Sequence, residues 1–184
     1  MNSIQNIGRY PAGRPLVSDN ILEFHAARLI LLLHCCGVKG RIDGLTKLAK
    51  LDFFVRYPKF FERACEALGA PSLQVLADVE SVMVRHHYGP WDHRYYHVLA
   101  YIESRDLVIV SREGARAYRF QLTVTGKQVA ERLAEVPSFQ EMGALMARVR
   151  GVLGKQSGMA LKELIYRLFE REVAARNLGE VISQ

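Results

Sequence analysis

Residues 107–124, which read LVIVSREGARAYRFQLTV, decide the fold class. The β-branched run Leu107–Val110 favours a strand, and Tyr118–Val124 alternates between apolar and polar residues as a second strand should. The basic segment Arg112–Arg116 between them predicts a turn. These residues therefore predict a small antiparallel hairpin.

The segments on both sides of this hairpin have helical patterns. Leu73–His86 predicts a helix, Tyr88–Trp91 a turn, and Tyr95–Arg105 a helix behind Asp92, a good N-cap residue. The predicted core positions of that last helix are Tyr95, Val98, Leu99 and Ile102. After the hairpin, Thr125–Gln128 resembles a capping box that opens a helix reaching residue 135. The order helix, turn, helix, strand, turn, strand, helix predicts a winged helix-turn-helix.

Further helices precede and follow this unit. Ile21–Cys36 is apolar on nearly every face, which predicts a buried central helix, opened by a capping box of Asn20 and Glu23. The other predicted helices are Leu45–Tyr57, Lys59–Leu68, one capped by Ser138 and Glu141 that runs to Leu153, and the amphipathic Met159–Arg176. We therefore predict a mainly α protein with a small antiparallel β-wing, a winged helix-turn-helix with additional N- and C-terminal helices. We expect an irregular lead-in over 1–19, a helical and winged helix-turn-helix domain over 20–136, and a C-terminal helical extension over 137–184 packed on or beside it.

The composition excludes several classes of protein. Of the 184 residues, 49% are hydrophobic and 24% are charged, which argues against wholesale disorder. The longest apolar stretch, Leu29–Val38, is about half of the roughly 20 residues that a membrane span needs. Three cysteines do not form a disulfide framework, so we expect reduced thiols and a cytoplasmic protein. The net charge of +6 permits contact with nucleic acid or an acidic partner without requiring either.

The helix after Asp92 carries a candidate nucleic-acid-binding face. Its residues turned away from the core are His93, Arg94, His97 and Tyr101, and the wing adds Arg112, Arg116 and Arg119. Helix-turn-helix proteins place such a helix in the major groove of double-stranded DNA, while a wing reaches phosphates. Winged helices also serve as protein-docking modules, and an exposed basic helix is often only a solvated face. Both alternatives stay open.

Residues that could carry catalysis or bind a metal are sparse. His93 and His97 are four apart on one helical face, but no cysteine pair or carboxylate at a matching spacing completes a metal site. Asp52 falls inside an apolar arc, where a carboxylate is costly unless paired, and Arg56 one turn later can pair with it. A structural ion pair or a helix-end cap is favoured over a catalytic acid. We therefore expect no enzyme activity, no metal and no cofactor.

Two longer segments resemble a known family. They are IDGLTKLAKLDFFVRYP at 42–58 and YGPWDHRYY at 88–96, and they are similar to the middle component of bacterial ABC-three-component systems, which include the Lamassu-type antiviral systems. The resemblance implies a small non-catalytic winged-helix adaptor that joins an SMC-like ABC ATPase to a toxic effector, often a nuclease. The assembly senses foreign DNA or its ends and then releases the effector.

The same resemblance suggests where partners bind. We expect a partner-binding face on the helix that begins at Leu45, with Lys47, Lys50 and Phe54 pointing outward, and a second face on the C-terminal amphipathic helix. The candidate residues of the first face are Lys47, Lys50, Phe54, Arg56 and Tyr57. A free-standing winged-helix transcription regulator is the alternative function. An enzyme, such as a nuclease, is a third and weaker one because paired carboxylates and metal ligands are missing.

Overall fold

The computed structural model describes residues 18–71, 82–112 and 117–182 and has a mainly helical architecture with small antiparallel sheets. The helices are α1 (Leu22–Cys36), α2 (Leu45–Arg56), α3 (Pro58–Ala67), α4 (Arg94–Ser104), α5 (Val124–Glu135), α6 (Pro137–Leu153) and α7 (Gly158–Leu168). The strands are β1 (Arg41–Asp43), β2 (Val84–His86), β3 (Gly89–Trp91), β4 (Val108–Ser111) and β5 (Arg119–Leu122).

Helices α1 and α2 form the centre of the protein. The predicted burial of α1 is confirmed, because its residues from Leu29 to Leu33 are all buried. Helices α4, α5 and α6 pack on α1, and α6 and α7 pack on α2. The predicted capping box at Asn20 is wrong, since Ile21 precedes the first turn and makes no side-chain cap. Ser18–Asn20 instead forms a separate 3₁₀ turn.

A three-stranded antiparallel sheet in the order β1-β5-β4 covers one side of α1. Both predicted strands of the hairpin are confirmed, with Val110 opposite Phe120. Strand β1, which the sequence pattern did not predict, pairs Ile42 with Phe120 on the other side of β5. Residues 113–116 of the predicted turn lie outside the described ranges.

Helix α5 begins earlier than predicted. The side chain of Thr123 accepts a hydrogen bond from the backbone N–H of Gly126 at 2.8 Å, so Thr123 and not Thr125 is the N-cap. A glycine is required at 126 because a β-carbon there would lie 1.9 Å from the carbonyl oxygen of Leu107. This close approach seats the first turn of α5 on the chain that leads into β4.

The predicted helix Leu73–His86 is wrong over its last turn. Residues 72–81 lie outside the described ranges, but Val84–His86 forms β2, which pairs with β3 in a hairpin that turns at His87 and Tyr88. The predicted turn at Tyr88–Trp91 is accordingly wrong, because Gly89–Trp91 is a strand. Residues 181–182 pair with the other edge of β2. Val181 forms a β-bridge with Val84, and the N–H of Ile182 donates to the carbonyl of Met83 at 2.9 Å. These long-range hydrogen bonds override the local helical pattern.

The C-terminal helices share the central core. Met146, Val149 and Leu153 of α6 belong to the same cluster of buried residues as α1 and α2, as do Leu161 and Ile165 of α7. The predicted cap by Ser138 is wrong, since Pro137 opens α6 and Val136 makes no side-chain cap. The predicted long helix Met159–Arg176 is also wrong in extent. It ends at Leu168, and a short π-helical turn, Glu170–Ala174, follows.

Candidate functional site

A buried network of charges joins helices α1, α2 and α4 at Asp52. This carboxylate is inaccessible to solvent and accepts hydrogen bonds from Arg28 Nε at 3.0 Å and from the Tyr95 hydroxyl at 2.7 Å. The predicted partner Arg56 lies one helical turn away, with Nη1 3.5 Å from Asp52 Oδ2. These side chains are buried, so the carboxylate of Asp52 and the guanidinium groups of Arg28 and Arg56 must balance one another's charge inside the protein.

The network continues outward through Asp92. Arg56 Nη1 donates to Asp92 at 2.8 Å, and Arg56 Nη2 donates to the carbonyl of Val82 at 2.7 Å. The Arg94 side chain and backbone N–H also donate to Asp92, at 2.9 Å each. Burial by itself raises the pKa of Asp92, but the hydrogen bonds from Arg94 and the charge of Arg56 outweigh it and hold the pKa well below its ordinary value. Asp92 therefore stays ionised and fixes the start of α4, much as predicted for a capping residue.

The outer end of the network lies at His25 and Asp19. Arg94 Nη1 donates to the Asp19 carboxylate at 2.7 Å, and His25 lies between the guanidinium groups of Arg28 and Arg94, each 2.9 Å from a ring nitrogen. Burial, followed by these two positive charges, lowers the pKa of His25, while a hydrogen bond with the Asp19 carbonyl opposes them. In a neutral ring with its proton on Nε2, Nδ1 accepts from Arg28 and Nε2 donates to the Asp19 carbonyl, so Arg94 is bound by the Asp19 carboxylate and not by the ring.

This network does not resemble a catalytic site. Its carboxylates are bound to guanidinium groups, and Asp52 and Arg56 have no contact with solvent. A cavity of about 330 Å³ touches only its outer end, where Asp19, His25 and Arg94 line it beside His97. Within the described ranges, no group of three histidine, cysteine, aspartate or glutamate side chains is arranged to hold a metal ion. The geometry is that of a structural brace between three helices.

The predicted partner face on α2 lies inside the protein. The expectation that Lys50 and Phe54 point outward is wrong, since both are inaccessible to solvent, as are Arg56 and Tyr57. Lys47 is partly buried and donates to the carbonyl of Gly154 at 2.8 Å. Helices α1, α6 and α7 and strand β3 surround α2, so its charged side chains act on other parts of the same chain.

The predicted nucleic-acid face is only partly available. On α4, His93 and His97 are exposed and Tyr101 is half-buried, but Arg94 is held by Asp92 and Asp19. On the sheet, exposed Arg112 stacks 5.1 Å from the ring of Tyr118, and Arg119 lies 3.9 Å from Asp43. Arg116 falls outside the described ranges.

The structure brings together a second group of residues that the sequence analysis did not identify. The β2–β3 hairpin packs on α2 and α7, and this contact collects basic and aromatic side chains that come from three distant segments. We call it the hairpin cluster; its members are Lys50, Arg85, His86, Tyr88, Lys162 and Tyr166. The density of histidine and tyrosine at 86–88 was a signal in the sequence, but the contribution of α7 could not be read from spacing.

Comparison with known proteins adds no further constraint. No protein-family model, curated protein or solved structure matches this chain. In the ranges that the structure covers, every helix is too short or too polar to cross a membrane.

Proposed function

We propose that this chain is a non-catalytic winged-helix adaptor subunit of a multi-subunit antiviral complex. Its partners would be an SMC-like ABC ATPase and a toxic effector, a nuclease, in the cytoplasm. The two segments that resemble the middle component of ABC-three-component systems support these partners. They meet in space: Asp52 and Arg56 come from the first segment, and Asp92, Arg94 and Tyr95 from the second.

The order and pairing of the elements carry the winged-helix proposal. The chain runs α1, β1, α2, α4, β4, β5, with α3 and the β2–β3 hairpin inserted between α2 and α4, and its sheet has the order β1-β5-β4. In this proposal α2 and α4, which the Tyr95–Asp52 and Arg56–Asp92 hydrogen bonds join, would be the helix pair, and the connection between β4 and β5 would be the wing. This pair replaces the one expected from Leu73–His86.

The outward surface of α4 favours docking to a protein over reading bases. A recognition helix reads guanine chiefly through arginine, and Arg94 already has two carboxylate partners. The exposed residues that remain on α4 are Tyr96, His97, Ala100, Glu103 and Ser104, with His93 directly before the helix and Arg105 directly after it. Aromatic side chains with few charges are typical of the centre of a protein interface. The wing arginines Arg112, Arg116 and Arg119 would then contact the backbone of double-stranded DNA.

Co-expression with the products of neighbouring genes tests the proposal. We expect affinity purification of this chain to yield a stable complex that contains an ATPase and an effector. Tyr96→Ala should weaken the complex, because this ring is 63% exposed on the docking face. Val124→Ala is the matched control, since Val124 is 75% exposed at the start of α5. Purification of the chain without partners would refute the adaptor proposal.

A free-standing transcription regulator is the second candidate, favoured by the net charge of +6 and by the wing arginines. Such a regulator forms a dimer that matches two half-sites about one DNA turn apart. A dimer that shifts one specific duplex by at least roughly 10³-fold over bulk DNA would establish it in place of the adaptor.

A further inference from the structure

Among the residues that the structure describes, the basic side chains of the hairpin cluster have no carboxylate partner. In the described part of the chain, Lys50, Arg85 and Lys162 form no ion pair, in contrast to the arginines of the buried network. Burial, followed by the neighbouring His87 and His93 and the cationic side chains of Lys50 and Arg85, lowers the pKa of His86. Such a surface attracts anions.

Several polar atoms in this cluster lack full hydrogen-bond partners. Among the described residues, Arg85 Nε and His86 Nδ1 are buried atoms with no hydrogen-bond partner. The Lys50 amine is fully buried and donates one hydrogen bond, to the carbonyl of Pro90 at 2.7 Å, although even its neutral form has two N–H groups. Unsatisfied buried polar atoms are uncommon in native proteins, and an absent ligand is one of their explanations.

Aromatic rings lie among these cations. The Lys162 ammonium lies 5.5 Å from the ring of Tyr88 and 5.3 Å from that of Tyr166, while His86 stacks on Trp91 at 5.2 Å. Tyr88, at the hairpin turn, is 51% exposed, and nearby Tyr96 on α4 is 63% exposed. Proteins that bind single strands combine a basic track for phosphates with aromatic rings on which bases stack.

We propose that the hairpin cluster binds single-stranded nucleic acid, with Lys162 and Arg85 contacting phosphates and Tyr88 stacking on a base. The flat, exposed ring at the turn suits an unpaired base, because bases inside a duplex offer no free face. DNA and RNA strands of one sequence should bind alike, since phosphates and base faces are common to both. This surface is separate from the wing, and the inference does not depend on the adaptor proposal.

The test measures binding affinity by fluorescence anisotropy with a labelled single strand of 12 thymidine nucleotides at low salt. We expect Lys162→Glu to weaken binding about tenfold and to reduce the salt dependence by roughly one phosphate contact. Tyr88→Ala should weaken binding at least about fivefold through the lost stacking. The unmodified protein should bind an abasic strand of equal length and charge only as weakly as the Tyr88→Ala variant binds the thymidine strand.

Matched controls separate this site from general charge effects. Arg167→Glu reverses a charge on α7 at an exposed position that lines a different groove, beside Leu68 and Gln156, and should leave binding unchanged. Tyr118→Ala, which removes a ring 45% exposed on the sheet, should also have no effect. Thermal melts establish that each variant is folded. Equal losses for Arg167→Glu and Lys162→Glu, or equal affinity for abasic and thymidine strands, would overturn the proposal.

Discussion

Neutralising Asp52 is expected to destabilise the fold severely. Asp52→Asn keeps the size of the side chain but removes the charge that faces Arg28 at 3.0 Å and Arg56 at 3.5 Å. Breaking one member of a buried ion pair costs about 3–5 kcal/mol, because the remaining charge is left uncompensated. Single domains are stable by about 5–15 kcal/mol, so this loss is a large part of the total. At this chain length the melting temperature should fall by about 6 to 20 °C.

Urea unfolding followed by circular dichroism measures this loss without changing ionic strength. The matched control is Asp43→Asn, because Asp43 pairs with Arg41 at 3.2 Å but both side chains are about half exposed. Exposed pairs contribute about 0–1 kcal/mol, so this variant should unfold close to the unmodified protein. If Asp52→Asn and Asp43→Asn had the same midpoint and slope, the argument that the network braces three helices would be refuted.

Three further predictions concern single side chains of the interior. Tyr95→Phe should lower the free energy of unfolding by about 1.5–3 kcal/mol, measured in urea, since it removes a hydrogen bond to an ionised group; no change would show that Asp52 needs only its arginines. Burial, with Lys162 nearby, lowers the pKa of Lys50 from 10.5 to about 7 in the folded protein. Between these two pH values the unfolded chain therefore binds one more proton than the folded protein does. The protein should therefore gain about 2–3 kcal/mol relative to Lys50→Met as the pH rises from 7 to 9, and parallel stability curves would contradict this. The pKa of His25 is lowered by burial, so its contribution to stability is present above pH 6.5 and is lost as the pH falls below that value. Melts between pH 6.5 and 5 should consequently show a weaker acid sensitivity for His25→Gln, and an unchanged slope would contradict the neutral ring.

Local pattern predicted most of the helices and the strands β4 and β5 well because these elements carry strong periodicity. The apolar run around Leu29–Leu33 could form only a buried helix, and the alternation near Phe120 suited a strand with one buried face. The N-caps were wrong at Asn20, Thr125 and Ser138. Serine, threonine and asparagine are frequent enough near helix starts that several positions fit the same motif, and tertiary packing chooses among them.

The remaining errors have one physical source, which is contact between distant segments. Val84–His86 becomes a strand because partners from β3 and from residues 180–182 supply its hydrogen bonds. Lys50 was expected outside because it lies opposite the apolar arc of the helix, yet other elements enclose that face of α2 as well and Pro90 provides an acceptor. The pairing of Asp52 with Arg56 was predictable from their spacing. The additional bonds from Arg28 and Tyr95 were not, since they lie on other helices.

The pairing of residues 179–182 with Met83–Arg85 has a consequence for synthesis of the chain. The two segments are about a hundred positions apart, so a ribosome adding roughly 5–20 residues per second needs about 5 to 20 seconds between them. For that interval the outer edge of β2 presents open backbone groups next to hydrophobic Val82 and Met83. Open strand edges recruit other chains. The yield of folded protein should therefore depend on how quickly translation proceeds from the β2–β3 hairpin to residues 179–182.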